Sequence, residues 1–141
     1  MESEDTHALR AANERFYAAL EALDLTAMDA LWAHDGWVRC VHPGAEVIEG
    51  WNGVRASWER IFANTRWLRV TPTSVNVAVY GAIGLVGCSE NITTADESDV
   101  GVAVAQATNV FRRTDAGWRL IHHHASPAPV HVTQPFNGTA Q

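Results

Sequence analysis

A chain of 141 residues with 47% hydrophobic content has the size of one domain, long enough to bury roughly two-thirds of its unfolded surface in a single core. The formal charge of −6, with ten scattered arginines as its only Lys/Arg cations, excludes the clustered positive charge that a nucleic-acid or anionic-membrane partner needs. The lack of lysine also excludes Schiff-base and phosphate-loop lysine chemistry.

From residue 6 to 23, Leu9, Ala12, Phe16, Ala19, Leu20 and Leu23 recur at three- and four-residue spacing, which predicts an amphipathic helix led by acids and carrying Tyr17 at the edge of its apolar stripe. Leu25 to His34 repeats the pattern, with Asp24 or Thr26 as its cap and Gly36 in the left-handed position past its end. Trp37 to His42 reads as a strand cut at Pro43-Gly44, and Ala45 to Glu49 as a short second one. A third amphipathic helix follows from Trp51 to Thr65, with Asn52 as its cap. Trp32, Trp37, Trp51, Trp58 and Trp67 fall within one third of the chain, a concentration of flat side chains suited to an aromatic-lined core or cavity.

Beyond Trp67 the period changes to two. Leu68–Tyr80, Ile83–Thr94, Val100–Arg113 and Trp118–Ala125 are expected as four strands joined by short turns, hence antiparallel. The order predicts an α+β domain, 1–141, in which a curved antiparallel sheet wraps around three helices of the N-terminal half, with an extended tail at 127–141. In the last strand, alternation places Trp118, Leu120, His122 and His124 on one face and Arg119, Ile121, His123 and Ala125 on the other. The Trp and Leu mark the core face, so His122 and His124 are expected to face an enclosed space; the alternative is an exposed or subunit-facing surface.

Met1 to Asp5 is acidic with no apolar stretch behind it, no run approaches membrane-spanning length, and Cys40 and Cys88 form no CxxC pair. A cytoplasmic location with free thiols is expected.

Val41-His42-Pro43, Ile48-Glu49-Gly50-Trp51, Thr108-Asn109-Val110-Phe111-Arg112-Arg113, Asp115-Ala116-Gly117-Trp118 and His122 to Pro129 resemble the SnoaL-like and ketosteroid-isomerase-like branch of the nuclear transport factor 2-like superfamily. They are also similar to the association domain of calcium/calmodulin-dependent protein kinase II. The resemblance implies a cone-shaped sheet enclosing a pocket, and a homodimer paired through the sheet. The kinase domain's cavity arginines align with Gly87 and Asn109, which argues against a strongly anionic ligand. No residue set matches the Tyr and two Asp of ketosteroid isomerases: Tyr17 lies near the right helix, but the acid partners do not map.

Histidine titrates near neutrality without large tuning, so His124 or His42 is the expected proton carrier, with Glu90 or Asp35 as orienting group or base. Tyr17, Trp32, Trp37, Trp58, Phe62, Asn109 and His122 are the expected substrate-binding set. His122 and His124 have the spacing of a metal pair, with His42 or Glu90 as third ligand, but a pocket without metal or cofactor is the preferred reading. No GxSxG or Gly-rich phosphate loop occurs. These residues point to a moderately apolar small-molecule partner and to isomerisation, cyclisation or dehydration by acid–base chemistry. A non-catalytic ligand-binding or oligomerisation module and a metal-binding protein are the alternatives.

Overall fold

The apolar stripe of the first segment forms helix α1 (Glu4–Glu21) and is buried from Leu9 to Leu20. Ser3 caps it by accepting from the Thr6 N–H at 3.1 Å, and Glu4 and Asp5 oppose the positive end of its dipole. The computed structural model describes residues 2–130. Leu23 takes the left-handed turn after α1, φ 53°, while the Asp24 N–H reaches back to Ala19 O at 3.0 Å. Asp24 then caps α2 (Leu25–Leu31), accepting from the Ala27 N–H at 3.0 Å.

Helix α2 does not run on to a left-handed Gly36. It stops at an extended Trp32 because the chain there is taken up by the last strand: Trp32 bridges Leu120, and the Ala33 N–H donates to Leu120 O at 2.9 Å. Strands β1 (Arg39–Val41) and β2 (Ile48–Glu49) precede α3 (Trp51–Ala63). The cap of α3 is Gly50, φ 83°, rather than Asn52, and no side chain bonds its first turn; that φ favours a residue without Cβ.

Four long strands follow: β3 (Trp67–Tyr80), β4 (Ile83–Ala95), β5 (Val100–Thr114) and β6 (Gly117–Ala128). The six-stranded sheet is curved and unclosed, in the order β2-β1-β6-β5-β4-β3. The meander is antiparallel as expected, but the sheet as a whole is mixed, since β1 lies parallel to β6. A helix and four strands separate those two in the chain, so no tight turn dictates their direction. Helix α1 packs across β3, β4 and β6. At Gly84 a Cβ would stand 2.5 Å from a Leu9 methyl carbon, so the Leu9 side chain of α1 fills the space that a larger residue there would need.

Strand β6 departs from the sequence reading twice. It continues past the expected tail boundary, pairing Pro127 with Ala105 and ending at Ala128. Its pairing with β1 covers only His122 to His124, so beyond them one edge is open and a residue lacking an N–H is tolerated. The rest of the expected tail, 131–141, lies outside the described residues. The second departure is a β-bulge. Val110 pairs with His122 and Phe111 with Leu120, leaving Ile121 as an extra residue. Trp118 and Leu120 face the core as expected, but beyond the bulge the faces exchange: His123 and Ala125 are buried, while His122 and His124 turn to the outer side. Strand β1 fixes this register from the other side, pairing Cys40 with His123.

Candidate functional site

The concave face of the sheet carries a row of polar residues under α1: Glu90 and Cys88 on β4, Asn109 on β5 and His123 on β6. Helix α1 contributes Asn13 and Tyr17, four residues apart on its buried stripe. Asn109, 0% exposed, joins them. Its amide donates to Asn13 Oδ1 at 2.9 Å and to the Tyr17 hydroxyl at 3.1 Å. Its oxygen is left to accept from His123 Nδ1–H at 2.6 Å. That network assigns the His123 proton to Nδ1 and leaves Nε2 with a lone pair. Tyr17 in turn donates to Glu90 Oε2 at 2.7 Å, with Cys88 Sγ 3.2 Å from the same hydroxyl.

Burial sets the protonation of these groups. Glu90, 3% exposed, makes no ion pair among the described residues. Desolvation raises its pKa against the opposing hydrogen bond from Tyr17. Tyr17 is raised by burial and then by the neighbouring Glu90 and Cys88, which keeps it a donor. Burial lowers His123 to about 3, with His42, His122 and His124 adding to the effect, so its imidazole is neutral. The buried thiol of Cys40 is raised by desolvation and then by Glu90.

His42, half-buried just past the end of β1, packs against α3. Ser57 donates its hydroxyl to Val54 O at 2.6 Å and accepts from His42 Nε2–H at 2.9 Å. Burial, then the charge of Arg60, lowers the His42 pKa. Trp58 lies edge-on to His42, ring centroids 4.7 Å apart, and 5.8 Å from both Phe16 and His123. Its indole N–H is buried without a hydrogen-bond partner.

The structure thus brings together Tyr17, Glu90, Asn109, Trp58, Phe62 and His42, around a residue that sequence reasoning set on the wrong face, His123. Trp32 is buried elsewhere, against Trp51 at 6.0 Å. Trp37 is 64% exposed with the Arg39 guanidinium 5.0 Å from its ring centre, and Asp35 accepts from the Trp37 N–H and meets Arg112 at the surface. His122 and His124 stand on the outer face with the sheet between them and the expected third ligands. Among the described residues no three His, Cys, Asp or Glu side chains converge to hold a metal. Asn13, Cys88 and Ser57 were missed as well. Asn13 left a trace in the sequence, a polar residue inside an otherwise apolar helical stripe.

The side chains of the network are in mutual contact. The surface hollows lie elsewhere, one of about 530 Å³ between α1 and α2 and one of about 390 Å³ around His34 and Trp51.

Residues 9–131 match the family model of the SnoaL-like domain. The chain is similar to a solved candidate dehydratase of the NTF2-like family from Streptomyces avermitilis, 39% identical over 89% of this chain and 97% of that one, TM-score 0.83. It is also similar to a candidate calcium/calmodulin-dependent protein kinase type II association domain from Thiobacillus denitrificans, 37% identical over 85% and 94%, TM-score 0.76. The F-box protein SKIP8 of Arabidopsis thaliana is 26% identical over 121 residues, 86% of this chain, which spans about half (50%) of that relative's length. Among the described residues no helix is long and apolar enough to cross a membrane.

Proposed function

The chain belongs to the SnoaL-like domain family, and from that premise we propose that it is a cytoplasmic, cofactor-free enzyme of the isomerase, cyclase or dehydratase class, acting on a moderately apolar carbonyl compound inside the concave sheet. The observation that carries this reading is the buried assembly Tyr17–Glu90 with Asn109 and His123. A carboxyl raised above the ordinary carboxylate range by desolvation, with no cation beside it, is suited to exchanging protons with a substrate carbon. Glu90 takes the proton next to the carbonyl, and Tyr17 stabilises the charge left in the site. The N–H of Trp58, which has no hydrogen-bond partner, donates to the carbonyl oxygen. Glu90 returns the proton it took to the new carbon, or to the departing hydroxyl in dehydration, and His42, neutral and bonded to Ser57, orients the substrate. Of the histidines expected on the last strand, His123 takes the place of His124 in this scheme, as a neutral group that holds Asn109. Substrate entry requires Trp58 and Phe62 to swing aside, because the side chains now fill the space. Similarity to the candidate dehydratase supports the reaction class.

The test is solvent-deuterium exchange and water loss, followed by NMR, over a panel of enolisable and β-hydroxy ketones. Exchange that falls about 10²–10⁴-fold in Glu90→Gln supports the assignment. Equal rates in wild type and variant would remove Glu90 as the base.

A second reading, a non-catalytic homodimeric or larger assembly module, has its own observation. Trp37, Tyr80, Leu85 and Val102 are exposed large apolar residues, with Leu85 and Val102 alternating against the buried Val86 and Ala105 and so facing outward. The similarity to the candidate association domain supports pairing of copies through this face. Sedimentation of the full chain decides between monomer, dimer and larger ring.

A further inference from the structure

The bulge that carries His123 inward leaves His122 and His124 side by side on the outer face, ring centroids 6.1 Å apart. Neither ring is hydrogen-bonded to a described residue. Arg39, whose field reaches the pair, is itself engaged by Glu49 at 3.4 Å. Around the rings, Trp37, Thr108, Val110 and Ile121 border a hollow of about 430 Å³.

We infer that His122 and His124 bind a divalent transition metal of the zinc type, and that the same pair from a second copy, packed face to face on the sheet, completes its coordination. The inference rests on the sheet-pairing reading given above. Ring nitrogens bind zinc at about 2.0–2.1 Å in a tetrahedral shell, so two rings at this separation close on one ion by a small side-chain rotation. The chain supplies no third ligand from its described residues. A two-fold axis supplies two ligands from each copy, the four that a closed site takes. The exposed Trp37 beside the pair is apolar surface that the second copy would cover. The charge argument points the same way, since two chains of −6 repel and a divalent cation between them offsets part of that repulsion.

The experiment uses untagged full chain, stripped with chelator and titrated with Zn²⁺ by calorimetry and in the analytical ultracentrifuge. The expected result is one Zn²⁺ per two chains, with the dimer dissociation constant lowered roughly tenfold or more. Both effects should be lost in His122→Asn and in His124→Asn, and kept in His34→Asn, whose ring stacks on Trp51 away from the pair. Cu²⁺ in place of zinc should show an electron paramagnetic resonance spectrum with nitrogen ligands from both copies. One Zn²⁺ per chain with unchanged assembly, or no saturable binding, overturns the proposal. A dimer that binds no metal removes this site and leaves the sheet pairing standing. A chain that stays monomeric with and without Zn²⁺ removes both.

Discussion

His123 and His124 are neighbours in the chain and opposites in the structure. His123 is 2% exposed on the concave face, its proton assigned by a chain of hydrogen bonds that reaches Asn109, Tyr17 and Glu90. His124 stands on the outer face with no hydrogen bond to a described residue and with His122 at its side. One peptide bond separates a closed polar network, where every group depends on its neighbours, from a surface that still has room for a partner. The difference comes from which side of the sheet each ring occupies. A buried polar group has no water to fall back on, so losing a partner costs its full desolvation; on the open side water replaces what is lost.

The largest contrast between the two faces is expected at adjacent positions of β5. Asn109→Leu leaves Asn13, Tyr17 and His123 each short of a buried partner, at about 1–3 kcal/mol for each unsatisfied group. A total loss of about 3–5 kcal/mol, or failure to fold, is expected in urea denaturation. Thr108→Leu, one residue away on the outer face, should stay within about 0.5 kcal/mol. Similar losses at the two positions would mean that the inner network contributes little to the fold.

A pH series sharpens the same contrast. His123 sits at about 3 in the folded chain against 6.5 for a free imidazole. The unfolded state therefore binds the proton first as pH drops. Stability is fully present above about pH 6.5 and is lost on acidification toward pH 3, at a limiting slope of about 1.4 kcal/mol per pH unit. Glu90 acts with the opposite sign above its ordinary 4.5, because its raised pKa keeps the proton on the folded state, so its contribution falls as pH rises. Chemical denaturation between pH 4 and 8 should show a flatter acid limb in His123→Asn. Glu90→Gln should lose the decline on the alkaline side. An unchanged acid limb in His123→Asn would mean that other groups govern acid unfolding.

Much of this fold was legible because period and turn residues are local signals. The three helices and four long strands fall within a few residues of where Leu, Val and Trp spacing puts them, and Asp24 caps α2 as its position suggests. The parallel pairing of β1 with β6 was not legible, because strand direction between distant segments leaves no local mark. The site was legible in its residue types. Tyr17, Glu90, Asn109 and Trp58 were singled out and lie together, although nothing in their spacing stated that Asn13 would be the fifth member. What failed was the face of β6. Alternation is reliable only while each residue has one partner, and the sequence Leu120-Ile121-His122 holds no glycine or proline to announce that Ile121 has none.

The bulge also makes a prediction of small effect but sharp logic. Strict alternation from Leu120, with Ile121 removed, puts His122 outward and His123 inward, which is the arrangement already present. Deleting Ile121 should therefore keep both faces, the Asn109–His123 bond and the β1 register. The loss should be limited to part of one half-buried side chain and the local twist of the bulge, about 1 kcal/mol. Inserting one residue after Ile121 while the bulge is retained should instead turn His123 outward and cost as much as Asn109→Leu. Thermal unfolding of the two variants, with the His123 ring resonance as a reporter of burial, distinguishes them. If the deletion proves as damaging as the insertion, the inward turn of His123 depends on the shape of the bulge and not on the count of residues, and β1 rather than Ile121 is the element that holds it.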